Sequence, residues 1–303
     1  MTLKALLELP ITRFSELRWP QGWRERTTVM GVINITPDSF SDGGKYLDPR
    51  NALDQASLQL SQGADVLDLG AQSTRPGAEE VGWQEELNRL MPALISIRAA
   101  HPQALISVDT FLAQVAKAAL EAGADWINDV SGGWRDPELL QVVAEAQCPY
   151  VLTHSRGNSQ SMDQLTSYDD VSEEVRQGLL RRTDKALKAG IQPDQLIWDP
   201  GLGFAKTTKQ NLILLRDLNQ LCSEGFPILV GPSRKRFIGD VLNEPNPEAR
   251  IWGTAVVASR CVEAKVAMVR VHDVGPIAQT IKMAEAVWPK DNSQAECIGK
   301  VLS

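Results

Sequence analysis

Short apolar runs along the chain end on residues that could do chemistry. Asn34 closes the first run, and Asp68 with the segment Gly-Ala-Gln-Ser-Thr-Arg-Pro-Gly (70–77) closes the second. Asp109-Thr110, Asn128-Asp129 and His154-Ser-Arg-Gly follow the next three. The sixth opens into Asp199-Pro-Gly-Leu-Gly-Phe-Ala-Lys, the seventh into Gly231-Pro-Ser-Arg-Lys-Arg, and the last ends Arg270-Val-His272-Asp273. Carboxylates accept hydrogen bonds from donor edges, while Arg, Lys and His⁺ receive anions. A lone Asp at a strand end is more often the cap of the next helix, and Asp129 and Asp273 fit that reading. A whole succession of polar strand ends is not explained by capping.

Looser motifs fail. GLGFAKTT (201–208) suggests a phosphate-binding loop, but Ala205 stands where Gly must precede the Lys. His101, His154 and His272 are far apart and no HExxH occurs; His101 is expected at a helix end, solvated. Cys148, Cys222, Cys261 and Cys297 are scattered without a CxxC, which argues against a zinc site or disulfide framework. Free thiols suit a reducing cytosol, so a cytoplasmic protein is expected.

The elements that must position these residues follow from hydrophobic patterning. Expected strands are 28–33, 65–69, 105–108, 126–127, 150–153, 196–198, 227–230 and 267–271, mostly apolar throughout, as for parallel strands buried on both faces. Helical patterns cover 50–62, 84–99, 111–122, 136–146, 168–189, 207–220, 248–264 and 275–287. Gln62-Gly63, Ala122-Gly123 and Ala189-Gly190 are expected to close helices through a left-handed Gly. Eight strand–helix units close most simply into an α/β (β/α)₈ TIM barrel, a single domain over 28–288 with an N-terminal extension (1–27) and a polar tail (289–303). Polar strand ends then share the barrel mouth, where such enzymes carry their active sites.

At 303 residues and 43% hydrophobic content the chain can bury a large core. A net charge of −7 without basic clusters argues against nucleic acid as a partner. No apolar run is long enough to span a membrane.

The ordered set NITPDSFSDGG, DLGAQSTRPGAE, SVDT, INDVSG, HSRG, DPGLGFAKT, GPSRKRFIG and RVHDV, spread over roughly residues 28–285, resembles the dihydropteroate synthases of folate biosynthesis. The resemblance implies a (β/α)₈ barrel, a transferase joining 7,8-dihydropterin-6-ylmethyl diphosphate to 4-aminobenzoate with release of diphosphate, a Mg²⁺ cofactor and a homodimer. It further implies site roles. Asp109, Asn128 and Asp199 would hold the pterin ring, with Lys235 on its carbonyl and ring nitrogen and Phe204 beside it. Asn34, Arg270 and His272 would take the diphosphate, Asn34 also serving as the metal ligand. Asp109, Lys235, Arg270 and His272 would carry the catalysis. Phe40, Thr74, Arg75, Pro76 and Ser233 would line the 4-aminobenzoate site, a site sulfonamides would share. Segments 35–44 and 70–80, too polar and Gly/Pro-rich to pack alone, would be loops closing over it.

Departures from the family pattern are Ala71-Gln72 for Gly-Glu, Ser155 for a Met, and Arg236 after Lys235. A corrinoid-dependent pterin methyltransferase and a non-catalytic pterin-binding paralogue are the alternative readings.

Overall fold

The computed structural model describes residues 17–36, 49–73 and 77–289. Eight strands alternate with helices: β1 (Thr28–Asn34), β2 (Val66–Gly70), β3 (Leu105–Asp109), β4 (Trp126–Asp129), β5 (Tyr150–Thr153), β6 (Leu196–Asp199), β7 (Leu229–Val230) and β8 (Met268–Val271). All pair in parallel, in the order β6-β5-β4-β3-β2-β1-β8-β7, and a parallel bridge from Trp198 to Ile228 joins the two ends. The architecture is the expected (β/α)₈ barrel.

The surrounding helices are α1 (Pro49–Ser61), α2 (Trp83–Ala100), α3 (Ala113–Glu121), α4 (Glu138–Ala146), α5 (Val171–Lys188), α6 (Thr208–Arg216), α7 (Leu218–Cys222), α8 (Arg236–Leu242), α9 (Ile251–Glu263) and α10 (Val274–Val287). Gly63, Gly123 and Gly190 take φ of +99°, +101° and +101°, closing their helices as expected. The pattern at 207–220 is two helices, not one, broken at Asp217, whose Oδ2 accepts a 2.6 Å bond from Ser172 Oγ. Helix α8 is an addition to the expected set. It is seven residues long with Gly239 inside, which leaves under two turns of periodicity to read.

Strand alternation builds the interior in layers. One residue from each strand, namely Met30, Val66, Leu105, Trp126, Val151, Ile197, Leu229 and Met268, forms an apolar plug. Trp19 packs edge-on against Trp126 from below, with ring centroids 5.2 Å apart, and Trp126 Nε1 donates to Arg18 O at 2.8 Å. Arg18 pairs with Asp125 and Arg26 with Asp65, so residues 17–27 seal the bottom of the barrel. Two residues further along each strand the same inward face carries Val32, Asp68, Ser107, Asn128, Thr153, Asp199, Gly231 and Arg270. The strands are therefore not apolar on both faces throughout. Their lumen turns polar one pleat above the plug, and Asp109, Asn128 and Asp199, expected just after their strands, lie within them.

Candidate active site

Period two puts Asn34, Asp109 and, just past β8, His272 one further pleat up, at the carboxyl mouth. Register ties the rim together: Asn34 lies opposite Gly70, Gly70 opposite Asp109, and Asp109 opposite Asn128. Gly70 keeps the space between them open, since a Cβ there would lie 3.8 Å from Asp109 Oδ2 and 3.9 Å from Asn34 Oδ1.

Arg270 is the hub. Its Nε donates to Asp68 Oδ2 at 2.6 Å and its Nη2 to Asp109 Oδ2 at 2.8 Å. Asp68, fully buried, also accepts from Asn128 Nδ2 at 3.1 Å. Asp68 thus orients two residues expected to touch ligand, although sequence reading gave it no role. The available signal was a carboxylate in the middle of the apolar run Val66–Gly70. Asp68 Oδ1, Ser107 Oγ and Thr153 Oγ1 are buried in this layer without a protein partner, so the lumen presents unspent hydrogen-bonding capacity.

Across the lumen, Asp199 accepts a 2.7 Å bond from Gly201 N. Its carboxyl is raised above the usual range by burial, against the pull of that N–H and of the Lys235, Arg270 and Lys206 cations. Lys235 Nζ stands 4.3 Å from the Phe204 ring centroid, a cation over an aromatic face. Burial pushes Asp109 up to about 7; Arg270 opposes this, while Asp68, Glu86 and Asp129 reinforce it. Glu86 of α2 is 1% exposed and is itself pushed up to about 7, chiefly by burial. Ser233 Oγ accepts from His272 N at 3.2 Å and lies 2.9 Å from His272 Nδ1.

The structure thus gathers Asn34, Asp109, Asn128, Asp199, Phe204, Ser233, Lys235, Arg270 and His272 at one mouth. Phe40, Thr74, Arg75 and Pro76 lie outside the described residues. Asp129 makes a local turn instead of a helix cap, accepting from Ser131 N, Gly133 N and Tyr150 Oη. Asp273 sits at the start of α10 without a side-chain cap bond, held by Arg234 at 2.7 Å. His101 stands at the end of α2 as expected, half-buried, with Nε2 2.8 Å from Ser57 Oγ. Of the departures, Gln72 Oε1 accepts from Val81 N at 2.9 Å, pinning the far end of its loop. Arg236 is exposed and pairs with Asp163. The buried hydroxyls of Ser131 and Ser155 face one cavity without protein partners.

A parallel barrel that gathers charged and amide side chains at its carboxyl mouth has the architecture of a (β/α)₈ enzyme. The pterin binding enzyme family model matches residues 30–272, and the chain belongs to that family. It is 48% identical to the dihydropteroate synthase of Synechocystis sp. over 266 residues, 88% of this chain and 92% of the relative. Solved structures of Xanthomonas albilineans dihydropteroate synthase superpose closely. One, with 4-aminobenzoic acid, gives a TM-score of 0.81 at 40% identity and covers 86% of this chain and 93% of that one. Another, with 7,8-dihydropteroate, gives 0.77 at 38%, covering 86% and 94%. Among the described residues, no helix is long and apolar enough to cross a membrane.

Proposed function

We infer that the barrel mouth carries out dihydropteroate synthesis, condensing 7,8-dihydropterin-6-ylmethyl diphosphate with 4-aminobenzoate to form 7,8-dihydropteroate and diphosphate. The observation that carries the reading is the convergence of Asp109, Asn128, Asp199, Lys235, Arg270 and His272 on one rim, in a chain 48% identical to a dihydropteroate synthase.

A pterin edge offers ring N–H, exocyclic NH₂ and a carbonyl. Asp199 matches the two donors, Asn128 the mixed part, and Lys235 the carbonyl and ring nitrogen. Phe204, under Lys235, faces the ring. Positive charge develops on the pterin methylene as its C–O bond breaks, and Asp109 is placed to stabilise it. Arg270 and His272 balance the negative charge on the departing diphosphate. The 4-aminobenzoate nitrogen then bonds to the methylene carbon and loses a proton. An arylamine is already a nucleophile, so the reaction needs no Ser–His or Cys–His pair. Phe40, Thr74, Arg75, Pro76 and Ser233 complete the 4-aminobenzoate site.

Asn34, whose side-chain oxygen faces the Gly70 gap beside Asp109, would hold a Mg²⁺ ion that keeps its remaining ligands as water and phosphate. Bound there, it would offset diphosphate charge.

The assembly we propose is a homodimer, covering an apolar face of α9 and α10 on which Trp252 is 78% exposed, Val256 70% and Met283 65%. The buried free thiols of Cys148 and Cys261 fit a cytoplasmic setting. A coupled assay of diphosphate release tests the reading. Release that requires both substrates is expected; pterin binding without turnover, or methyl transfer instead, would overturn it.

A further inference from the structure

Two buried cationic-capable side chains at the mouth have no part in the chemistry above. Lys206, at the end of the turn that follows β6, is 3% exposed, and His154, just past β5, is also 3% exposed. Lys206 Nζ donates to Gly201 O at 2.9 Å and to Phe204 O at 2.9 Å, and lies 3.2 Å from His154 Nδ1. A fourth, longer contact of 3.5 Å runs to His154 O. An ammonium has three hydrogens, and the two carbonyls at 2.9 Å with the imidazole nitrogen are its three nearest acceptors.

The turn so held is strained and tightly enclosed. Gly201, Gly203 and Ala205 have φ of +68°, +80° and +50°, three left-handed residues in five. Ala205 carries a Cβ there and is fully buried. A Cβ on Gly201 would lie 1.9 Å from His154 O, so the turn rests directly on the His154 backbone. The same turn supplies the Gly201 N–H to Asp199 and presents Phe204 to Lys235. The imidazole is wedged on its other side, since a Cβ on Gly178 of α5 would come within 2.9 Å of His154 Nε2.

We propose that Lys206 is the positioning residue for pterin recognition: its ammonium ties the 201–204 turn to His154, fixing Asp199 and Phe204 in binding geometry and His154 as the neutral Nε2–H tautomer. The role in recognition rests on the assignment of Asp199 and Phe204 to the pterin. The tautomer belongs to the proposal: a charged Lys206 can only donate, so Nδ1 accepts and the ring proton sits on Nε2. Burial holds His154 well below the usual histidine range, and the facing Lys206, Arg182 and Arg156 cations reinforce this. Tyr168 also faces the ring, its centroid 6.4 Å away. Burial holds Lys206 well below the usual lysine range; Asp199 favours its charged form, and the Arg182, Arg156 and Lys235 cations oppose it.

Three histidines make ring-¹⁵N NMR of the whole protein assignable with a His101→Gln control. His154 is expected neutral, protonated on Nε2 and not titrating between about pH 5.5 and 8. A Nδ1–H tautomer or an ordinary titration in the wild type would overturn the proposal. Lys206→Met should release His154 to titrate at higher pH. It should also weaken binding of 6-hydroxymethyl-7,8-dihydropterin about tenfold, as expected if the turn is competent about a tenth of the time. Binding of inorganic diphosphate should stay unchanged. Unchanged pterin affinity in a folded Lys206→Met would refute the role. If that variant does not fold, Lys206→Gln keeps donors for the two carbonyls without the charge. It should bind pterin within about threefold while His154 titrates; a silent His154 there counts against the clamp. Asp199→Asn, run in parallel, should lose pterin and keep the His154 tautomer. If it binds pterin normally, the ring assignment fails while the clamp stands.

Discussion

Glu86→Gln should raise stability at alkaline pH and leave it unchanged in acid. Glu86 is 1% exposed, and burial is the main cause that carries its carboxyl from the ordinary 4.5 to about 7, with Thr110 and Arg89 opposing. A folded-state value raised above the unfolded one means that the neutral form supports the fold. That contribution is complete below about pH 4.5 and is lost as pH rises through about 7. The displacement corresponds to about 3 kcal/mol at full ionisation. Glutamine keeps the shape and cannot ionise, so at about pH 8 the variant should exceed the wild type by up to about 3 kcal/mol, a Tm gain of roughly 4–10 °C for a domain of this size. At about pH 4.5 the two should melt together. Calorimetry at both pH values measures this. Since the Glu86 charge also raises Asp109, the acid limb of the activity profile should move to lower pH in the same variant. A gain of equal size at both pH values, or a loss at pH 8, would refute the reasoning, because neither follows from removing a buried ionisable group.

Arg270→Met should do double damage: binding of the diphosphate ester should fall far more than binding of the pterin alcohol, and unpairing the buried Asp68 should cost about 3–5 kcal/mol in a melt. His272→Ala, half-buried and touching Ser233, should show the binding effect with little loss of Tm; equal losses for both ligands would place these residues on the ring. Phe40→Ala should raise the 4-aminobenzoate KM and lower turnover with stability held, and a lower Tm with normal kinetics would exclude a lid role. Trp252→Glu should shift the protein to monomer in ultracentrifugation while the fold persists; an unaltered assembly would move the interface elsewhere.

The (β/α)₈ plan was legible in the sequence because parallel strands buried in a barrel read as contiguous apolar runs, each ending where the lumen opens to ligand. The rim residues Asn34, Asp109, Asn128, Asp199, Lys235, Arg270 and His272 could therefore be placed at one mouth from strand ends alone. Helix α8 and the break at Asp217 were not legible, since seven residues around Gly239 and a single polar interruption carry too little periodicity to locate an end.

What the sequence determined by itself was local: strand alternation, glycine at left-handed helix ends, and the residue types that reach the mouth. What only the tertiary structure decided was which charges meet. Arg270 and Asp68 are 202 residues apart, yet closure of β1 against both β2 and β8 sets them in one layer of the lumen. Lys206 meets His154 only because Gly201, with no side chain, lets the sixth strand's turn rest on the fifth. No period along the chain records either contact. Their geometry comes from the circular order and stagger of the strands, and the elevated carboxyls of Asp109 and Glu86 come from the burial that closure creates.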